Sequence, residues 1–212
     1  MGRMVMFDLD GTLVDSVQDL ANALNSVRIS YGAEPLPVGT VKNIIGDGIK
    51  VLVQRALHDI DADLPLAVTQ VQKFYAEHLT DNTVLYPGVF ETLHKFRSSG
   101  MILAVVTNKN SREASRILQE LKVADFFPDI VGGDSGFRLK PDPEALISLQ
   151  QKYGVAKADC WMVGDHFTDL ESGRRAGFRR IFCTYGFGQC REEMPDFTVD
   201  SFDRIADVIG KF

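Results

Sequence analysis

Residues 1–16 read MGRMVMFDLDGTLVDS. A short apolar run, Met4 to Phe7, ends in two carboxylates two residues apart, Asp8 and Asp10, followed at once by Gly11 and Thr12. Four to seven apolar residues bounded by turn formers read as a buried strand, and its natural setting is a parallel sheet. Side chains two apart on an extended segment share a face. Asp8 and Asp10 therefore emerge together at the strand's C-terminal end, where open α/β sheets bind ligands. Two unpaired carboxylates side by side are costly unless a cation or a proton lies between them. A lone Asp-x-Asp can be a solvated turn. Here the acids close a hydrophobic strand and run straight into Gly-Thr.

The rest of the chain sets the bounds. Its 212 residues are enough to bury a real core, and 45% hydrophobic with 25% charged residues is ordinary for a globular protein. With 23 Lys and Arg against 29 Asp and Glu, the net charge is −6, which argues against a nucleic-acid partner. No apolar stretch approaches the ~18 residues of a membrane span, and the N-terminus does not read as a signal peptide. Cys160, Cys183 and Cys190 show no CxxC spacing, and His58, His78, His94 and His166 no zinc spacing. A reducing cytoplasm is the simplest compartment.

Residues 15–81 differ from their surroundings. Ser16 can cap a helix with apolar positions at Val17, Leu20, Ala21, Leu24 and Val27. Further helices are expected over Val38–Ile45, from Ile49 through Leu57, and over Val68–Leu79, with Gly46-Asp47-Gly48 breaking the second from the third. From Tyr86 onward strands alternate with helices. The strands are MILAVVTN ending at Thr107 and Asn108, DIVGGD from Asp129 to Asp134, CWMVGD from Cys160 to Asp165, RIFCTY from Arg180, and a short edge strand over Phe197–Val199. Helices are expected over Val89–Ser98, Ser111–Leu121, Pro143 to about Tyr153 with Asp142 as cap, Thr168–Ala176, and Phe202–Ile209. The alternation implies parallel βαβ units and a Rossmann-like, three-layer α/β core. The core is expected to comprise residues 1–14 and 82–212, with residues 15–81 inserted as a small all-α cap over the sheet's C-terminal edge.

Polar groups converge on that edge: Asp8 and Asp10, Thr107 and Asn108, Asp165, and Lys140 after the third core strand. Pro141 disfavours the helical region for Lys140, which holds the lysine at the helix entrance. A fixed cation there would hold a phosphate and lower the pKa of a nucleophilic carboxylate. Taken singly, each group could be a turn or a helix cap. Jointly they are three acids, a hydroxyl and a lysine at one edge.

DLDGTLVDS, VVTN, KPDP and GDHFTD, in this order, resemble motifs I to IV of the haloacid-dehalogenase-like superfamily, most of whose members are magnesium-dependent phosphatases. The resemblance covers essentially the whole chain and fits members with a helical cap after motif I. It implies that Asp8 is the nucleophile that forms an aspartyl-phosphate and Asp10 the general acid, then base. Thr107 and the Asn108 amide would hold the phosphoryl oxygens, and Lys140 would neutralise charge. Mg2+ would be held by Asp8, Asp165 and the Asp10 backbone carbonyl. Asp169 would be a ligand through water or a partner of Lys140. Aspartate at position 10, where dehalogenases carry an aromatic residue, implies phosphoryl chemistry. His166 departs from the small hydroxyl residue usual there and reads as a loop histidine.

The cap implies the substrate. IGDGIKVLVQRAL is most similar to the cap of phosphoglycolate phosphatases, and VVTNK and VGGD resemble that group too. Gly46, Asp47 and Gly48 are then the candidate substrate loop. Asp47 departs from the asparagine often found there and needs Lys50, Arg55 or another cation beside it if the substrate bears a carboxylate. The reading is a phosphatase of a small phosphorylated metabolite, 2-phosphoglycolate among the candidates, acting as a monomer or homodimer. A sugar-phosphate phosphatase or a β-phosphoglucomutase-like enzyme shares the core motifs. A receiver-like signalling module also combines strand-end acids, a threonine and a lysine, but lacks a helical insert and an acid beside the nucleophile.

Overall fold

A computed structural model describes residues 2–211. Strand β1 (Met4–Phe7) is buried along its whole length, and its alternation divides the core. Val5 and Phe7 face one side of the sheet; Met4 and Met6 face the other. Phe7 packs among the rings of Phe96, Phe127 and Phe202, with centroids 6.5, 6.3 and 5.6 Å away. Truncating such a residue to alanine costs ~3–5 kcal/mol, the lost burial plus the cavity left behind.

After β1 the chain makes a two-residue strand β2 (Val14–Asp15), four helices α1 (Val17–Ser30), α2 (Val38–Lys42), α3 (Ile49–Ala56) and α4 (Leu64–Glu77), and a returning strand β3 (Val84–Leu85). Then follow α5 (Val89–Ser98), β4 (Ile102–Val106), α6 (Ser111–Glu120), β5 (Asp129–Val131), α7 (Glu144–Tyr153), β6 (Cys160–Gly164), α8 (Phe167–Ala176), β7 (Arg179–Cys183), β8 (Phe197–Val199) and α9 (Arg204–Ile209). Six strands form one parallel sheet in the order β5-β4-β1-β6-β7-β8. Phe7 lies in register with Val105 on one neighbour and Val163 on the other. Helices α5, α6 and α9 pack with Val5 and Phe7, while α7 and α8 cover the Met4 and Met6 face. This is the expected three-layer α/β arrangement. The chain runs outward from β1 to β4 and β5, then returns to β6 on β1's other side, so the topological switch lies at β1.

The β2–β3 ribbon is antiparallel and joins the four helices to the sheet region. Two-residue strands leave no periodic signal, and the sequence reading has none there. Other boundaries move too: β5 stops at Val131 instead of Asp134, α9 begins at Arg204 instead of Phe202, and three further helices shift. Helix α2 stops at Lys42 instead of Ile45. Helix α4 begins at Leu64 instead of Val68, with Asp63 accepting from the Leu66 N–H at 3.0 Å. Pro65 reads as a turn signal but fits a first helical turn, where its missing N–H would have no partner anyway. Helix α7 starts at Glu144, whose N–H donates to Asp142 at 3.0 Å, so the carboxylate still closes that end.

Candidate active site

The C-terminal ends of β1, β4 and β6 and the loop before α7 bring the four motifs together. Asp8 continues the β1 ladder, its N–H donating to Val163 at 2.9 Å. Lys140 reaches in from the opposite loop, its Nζ 3.0 Å from Asp8 Oδ1 and 2.6 Å from Asp169 Oδ1. All three side chains are buried. Burial opposes the charge on Lys140, but the carboxylates of Asp169 and Asp8 outweigh it and hold the ammonium above its ordinary pKa. The lysine loop is in turn fixed by Asn108, whose Oδ1 accepts from the Lys140 N–H at 2.9 Å while its Nδ2 donates to the Lys140 carbonyl at 3.0 Å. The same Nδ2 donates to the Gly46 carbonyl at 3.1 Å. The Asn108 side chain is therefore a strut between the Lys140 loop and the Gly46 loop.

Asp165 follows β6 directly and is equally enclosed. Its Oδ1 accepts from the Thr12 hydroxyl at 2.9 Å, and its Oδ2 from the N–H groups of Phe187 and Gly188 at 2.8 and 3.0 Å. Gly11 makes this approach possible: its φ is +85°, and a Cβ there would lie 2.3 Å from Asp165 Oδ2. Asp169, in the first turn of α8, accepts from the His166 N–H at 3.0 Å through its second oxygen.

Asp8, Asp165 and Asp169 each present a carboxylate oxygen within 4.8 Å of the others, all buried. Burial pushes Asp8 up to about 6, with Lys140 working against the rise and Asp169 adding to it. Asp165 is pushed up to about 7 by burial and by the charges of Asp8 and Asp169. Asp8 Oδ1 has the Lys140 ammonium, 3.0 Å away, as its charged partner. Three buried acids, their carboxylate oxygens within 4.8 Å of one another against one lysine, suit a small hard cation bound through a few carboxylates. Asp169 belongs to this group of acids and also pairs with Lys140 at 2.6 Å.

The Asp10 carboxylate lies outside that group. Lys109 Nζ donates to its two oxygens at 3.0 and 2.8 Å, and the Ser16 hydroxyl donates to Oδ1 at 2.5 Å. Ser16 does stand at the N-cap of α1, but its hydroxyl makes no cap hydrogen bond, contrary to the expectation from sequence. Lys109 is a site residue that sequence reading missed. It follows Asn108 directly, and its spacing of two from Thr107 was the available signal. Its ammonium is buried and lies 4.6 Å from the centre of the Tyr75 ring on α4. Burial opposes its charge, yet the neighbouring Asp10 carboxylate and Tyr75 raise its pKa well above the usual lysine range.

A cavity opens over these groups. Asp8, Asp10, Thr107, Asn108 and Lys109 line its floor, Gly46, Gly48 and Tyr75 its roof, and Leu20, Ile45, Ile49 and Leu52 give it apolar walls. Asp47 is not among the lining residues; its carboxylate is paired with Arg55 at 2.6 Å. His166 is buried below the same loop. Gly46 has φ +126°, and a Cβ there would lie 2.8 Å from His166 Nε2. Burial pushes the imidazole down to about 4, and Nδ1 shares a hydrogen bond of 3.0 Å with the Thr168 hydroxyl. His166 is thus a neutral packing residue beneath the loop.

Known proteins resemble this chain over most of its length. Residues 5–183 match the haloacid dehalogenase-like hydrolase family. A phosphoglycolate phosphatase of Chromobacterium violaceum is 39% identical over 213 residues, covering 98% of this chain and 96% of that protein. A phosphoglycolate phosphatase of Pseudomonas putida is 39% identical over 208 residues, covering 93% of this chain and 76% of that protein. Among solved structures, one described as a predicted phosphoglycolate phosphatase from Haemophilus somnus superposes with a TM-score of 0.92 at 32% identity, covering 98% of this chain and 97% of the other. On the strength of its sheet, its strand-end residues and these relatives, the chain belongs to the haloacid dehalogenase-like hydrolases.

Proposed function

We propose that this hydrolase is a magnesium-dependent phosphatase that releases phosphate from a small phosphate ester, 2-phosphoglycolate first among them. The observation that carries the reading is the buried Asp8–Lys140–Asp169 chain beside Asp165, with Asp10 two residues from Asp8 at the same strand end. The names of the relatives at 39% identity supply the ester.

In this reading an Asp8 carboxylate oxygen attacks phosphorus. The bond from phosphorus to the ester oxygen breaks, an aspartyl-phosphate forms, and Asp10 gives its proton to the departing alkoxide. Asp10 then takes a proton from water, whose oxygen bonds to phosphorus as the acyl-phosphate bond breaks and Asp8 is regenerated. Thr107 and the main-chain N–H of Asn108 receive the phosphoryl oxygens, and Lys140 balances charge on Asp8 and the phosphoryl group. Asp8 and Asp165, the Asp10 main-chain carbonyl, and Asp169 directly or through water would hold Mg2+. The ion supplies positive charge that lets an anionic nucleophile approach an anionic phosphate. Residues 15–81 act as a cap, since their helices roof the cavity and exclude water from it.

The test is inorganic phosphate release from a panel of small phosphate esters, with and without magnesium, beside Asp8→Asn. Metal-dependent release from 2-phosphoglycolate, abolished in the variant, supports both mechanism and substrate. Release spread evenly over sugar phosphates overturns the substrate assignment. Absence of release from every ester, in folded protein with magnesium, overturns the phosphatase reading.

A further inference from the structure

Two polar side chains, one from the cap and one from the core, meet in the wall of the cavity. Tyr75, on α4, is buried and lines the cavity, and its hydroxyl has no well-aligned hydrogen bond, only the ammonium of Lys109 nearby. Such a group is rare inside a protein and calls for a partner. Beside it lies Lys109, whose ammonium has three donors. Two of its hydrogen bonds go to Asp10, one to each carboxylate oxygen. Among the described residues lining this cavity, Lys109 is the sole lysine or arginine. Two other cations near the site are engaged elsewhere: Lys140 with Asp8 and Asp169, and Arg55 with Asp47.

We propose that Lys109 and Tyr75 form the subsite for a carboxylate carried by the leaving group. This rests on the phosphatase reading above and deepens it. The third ammonium donor and the phenolic O–H would each donate to one carboxylate oxygen of the leaving group. The apolar side chains of Leu20, Ile49 and Leu52 give the chamber a low dielectric, in which a fixed cation discriminates strongly between a charged and a neutral end. Glu113 also lines the cavity; burial raises its pKa, and the charge of Lys109 works against the rise. The glycine loop at 46–48 then shapes the roof without reading the charge. Cap and core share the recognition, since Tyr75 comes from the inserted helices and Lys109 from the strand-end loop.

The experiment compares kcat/KM for 2-phosphoglycolate with that for 2-hydroxyethyl phosphate, a neighbour in size whose far end is neutral. It is run on the wild type, Lys109→Met, Lys109→Arg and Tyr75→Phe, with thermal unfolding of each. Losing a charge-assisted contact to a buried group should lower the preference for the carboxylate ester about 30-fold in Lys109→Met. Tyr75→Phe should lower it about 5-fold through one neutral hydrogen bond. Lys109→Arg should restore part of what Lys109→Met loses. Equal losses on both esters in folded Lys109→Met would make Lys109 a positioning residue of Asp10 only and overturn the subsite, leaving the phosphatase reading intact. If Lys109→Met does not fold, an unchanged preference in Tyr75→Phe overturns it. A wild type that hydrolyses neutral esters as well as 2-phosphoglycolate overturns both the subsite and the substrate assignment.

Discussion

Lys109 grips Asp10 by both carboxylate oxygens, at 3.0 and 2.8 Å, with its ammonium 4.6 Å from the centre of the Tyr75 ring. One buried lysine thus ties the proposed acid-base residue of the core to a helix of the insert. Removing only the lysine leaves a poorly solvated carboxylate unpaired. Lys109→Ala should cost ~3 kcal/mol in urea unfolding. Adding Asp10→Asn to it should recover at least half of that, because no buried charge then remains. A double variant no more stable than the single one would show that packing, not charge, sets the cost.

Asp8→Asn keeps the size of the side chain but removes the nucleophile and one charge of the three-acid group. Phosphate release should fall by at least ~10³-fold. Magnesium affinity, followed by calorimetry on the folded variant, should weaken as well. Retention of more than a tenth of wild-type activity would remove Asp8 from the mechanism.

Metal-free protein should become less stable as pH rises. Burial places Asp8 at about 6 and Asp165 at about 7, both above the ordinary 3.8 of an unfolded aspartate. The folded state therefore binds these protons more tightly than the unfolded state. Its contribution is complete below about pH 4 and is lost as pH passes through 6 to 7. Magnesium replaces the protons, so its gain in Tm should be larger at pH 8 than at pH 5, by at least about 4 °C. Equal gains at both pH values would contradict the cluster as the metal site.

Gly11→Ala should damage the site from the backbone side. The position has φ +85°, and the added methyl would lie 2.3 Å from Asp165 Oδ2. The left-handed conformation and the displaced acid together should cost about 3 kcal/mol. Magnesium stabilisation measured by thermal shift should disappear with it. A variant with normal unfolding and a normal magnesium shift would refute the crowding.

Asp19 is buried in the first turn of α1 and pins the point where the chain returns from the insert. Its carboxylate accepts from the N–H groups of Asn82 and Thr83 and from both of their side chains, at 2.7 to 3.1 Å. Asp19→Ala strands these donors and should destabilise the protein by about 3 kcal/mol. Amide exchange should rise first around residues 82–85. Exchange that rises uniformly along the chain would instead mean that the insert and the sheet open as one unit.

Much of this architecture was legible from residue patterns alone. A four-residue apolar strand running into Asp8 and Asp10, then regular alternation of strands and helices after Tyr86, gave the parallel sheet and its reactive edge. Each of Asp8, Thr107, Lys140, Asp165 and Asp169 was marked by its place at a strand end or helix entrance. The β2–β3 ribbon was invisible because two residues carry no period, and the start of α4 was hidden because Pro65 signals a turn and a first helical turn equally well.

What the tertiary structure decided was which of the possible partners each charged group takes, and it gave Asp10 partners that no local reading offered. Sequence spacing put Asp8 and Asp10 on one face, but their side chains part company: Asp8 turns to Lys140, 132 positions along the chain, and Asp10 to Lys109 and Ser16. Asp47 goes to Arg55, and Asn108 serves as a strut. Local sequence encodes where the backbone places a side chain, because strand and helix periods are local. Which charge that side chain meets depends on elements folded against it from far along the chain, and at a buried site those distant charges outweigh every local preference.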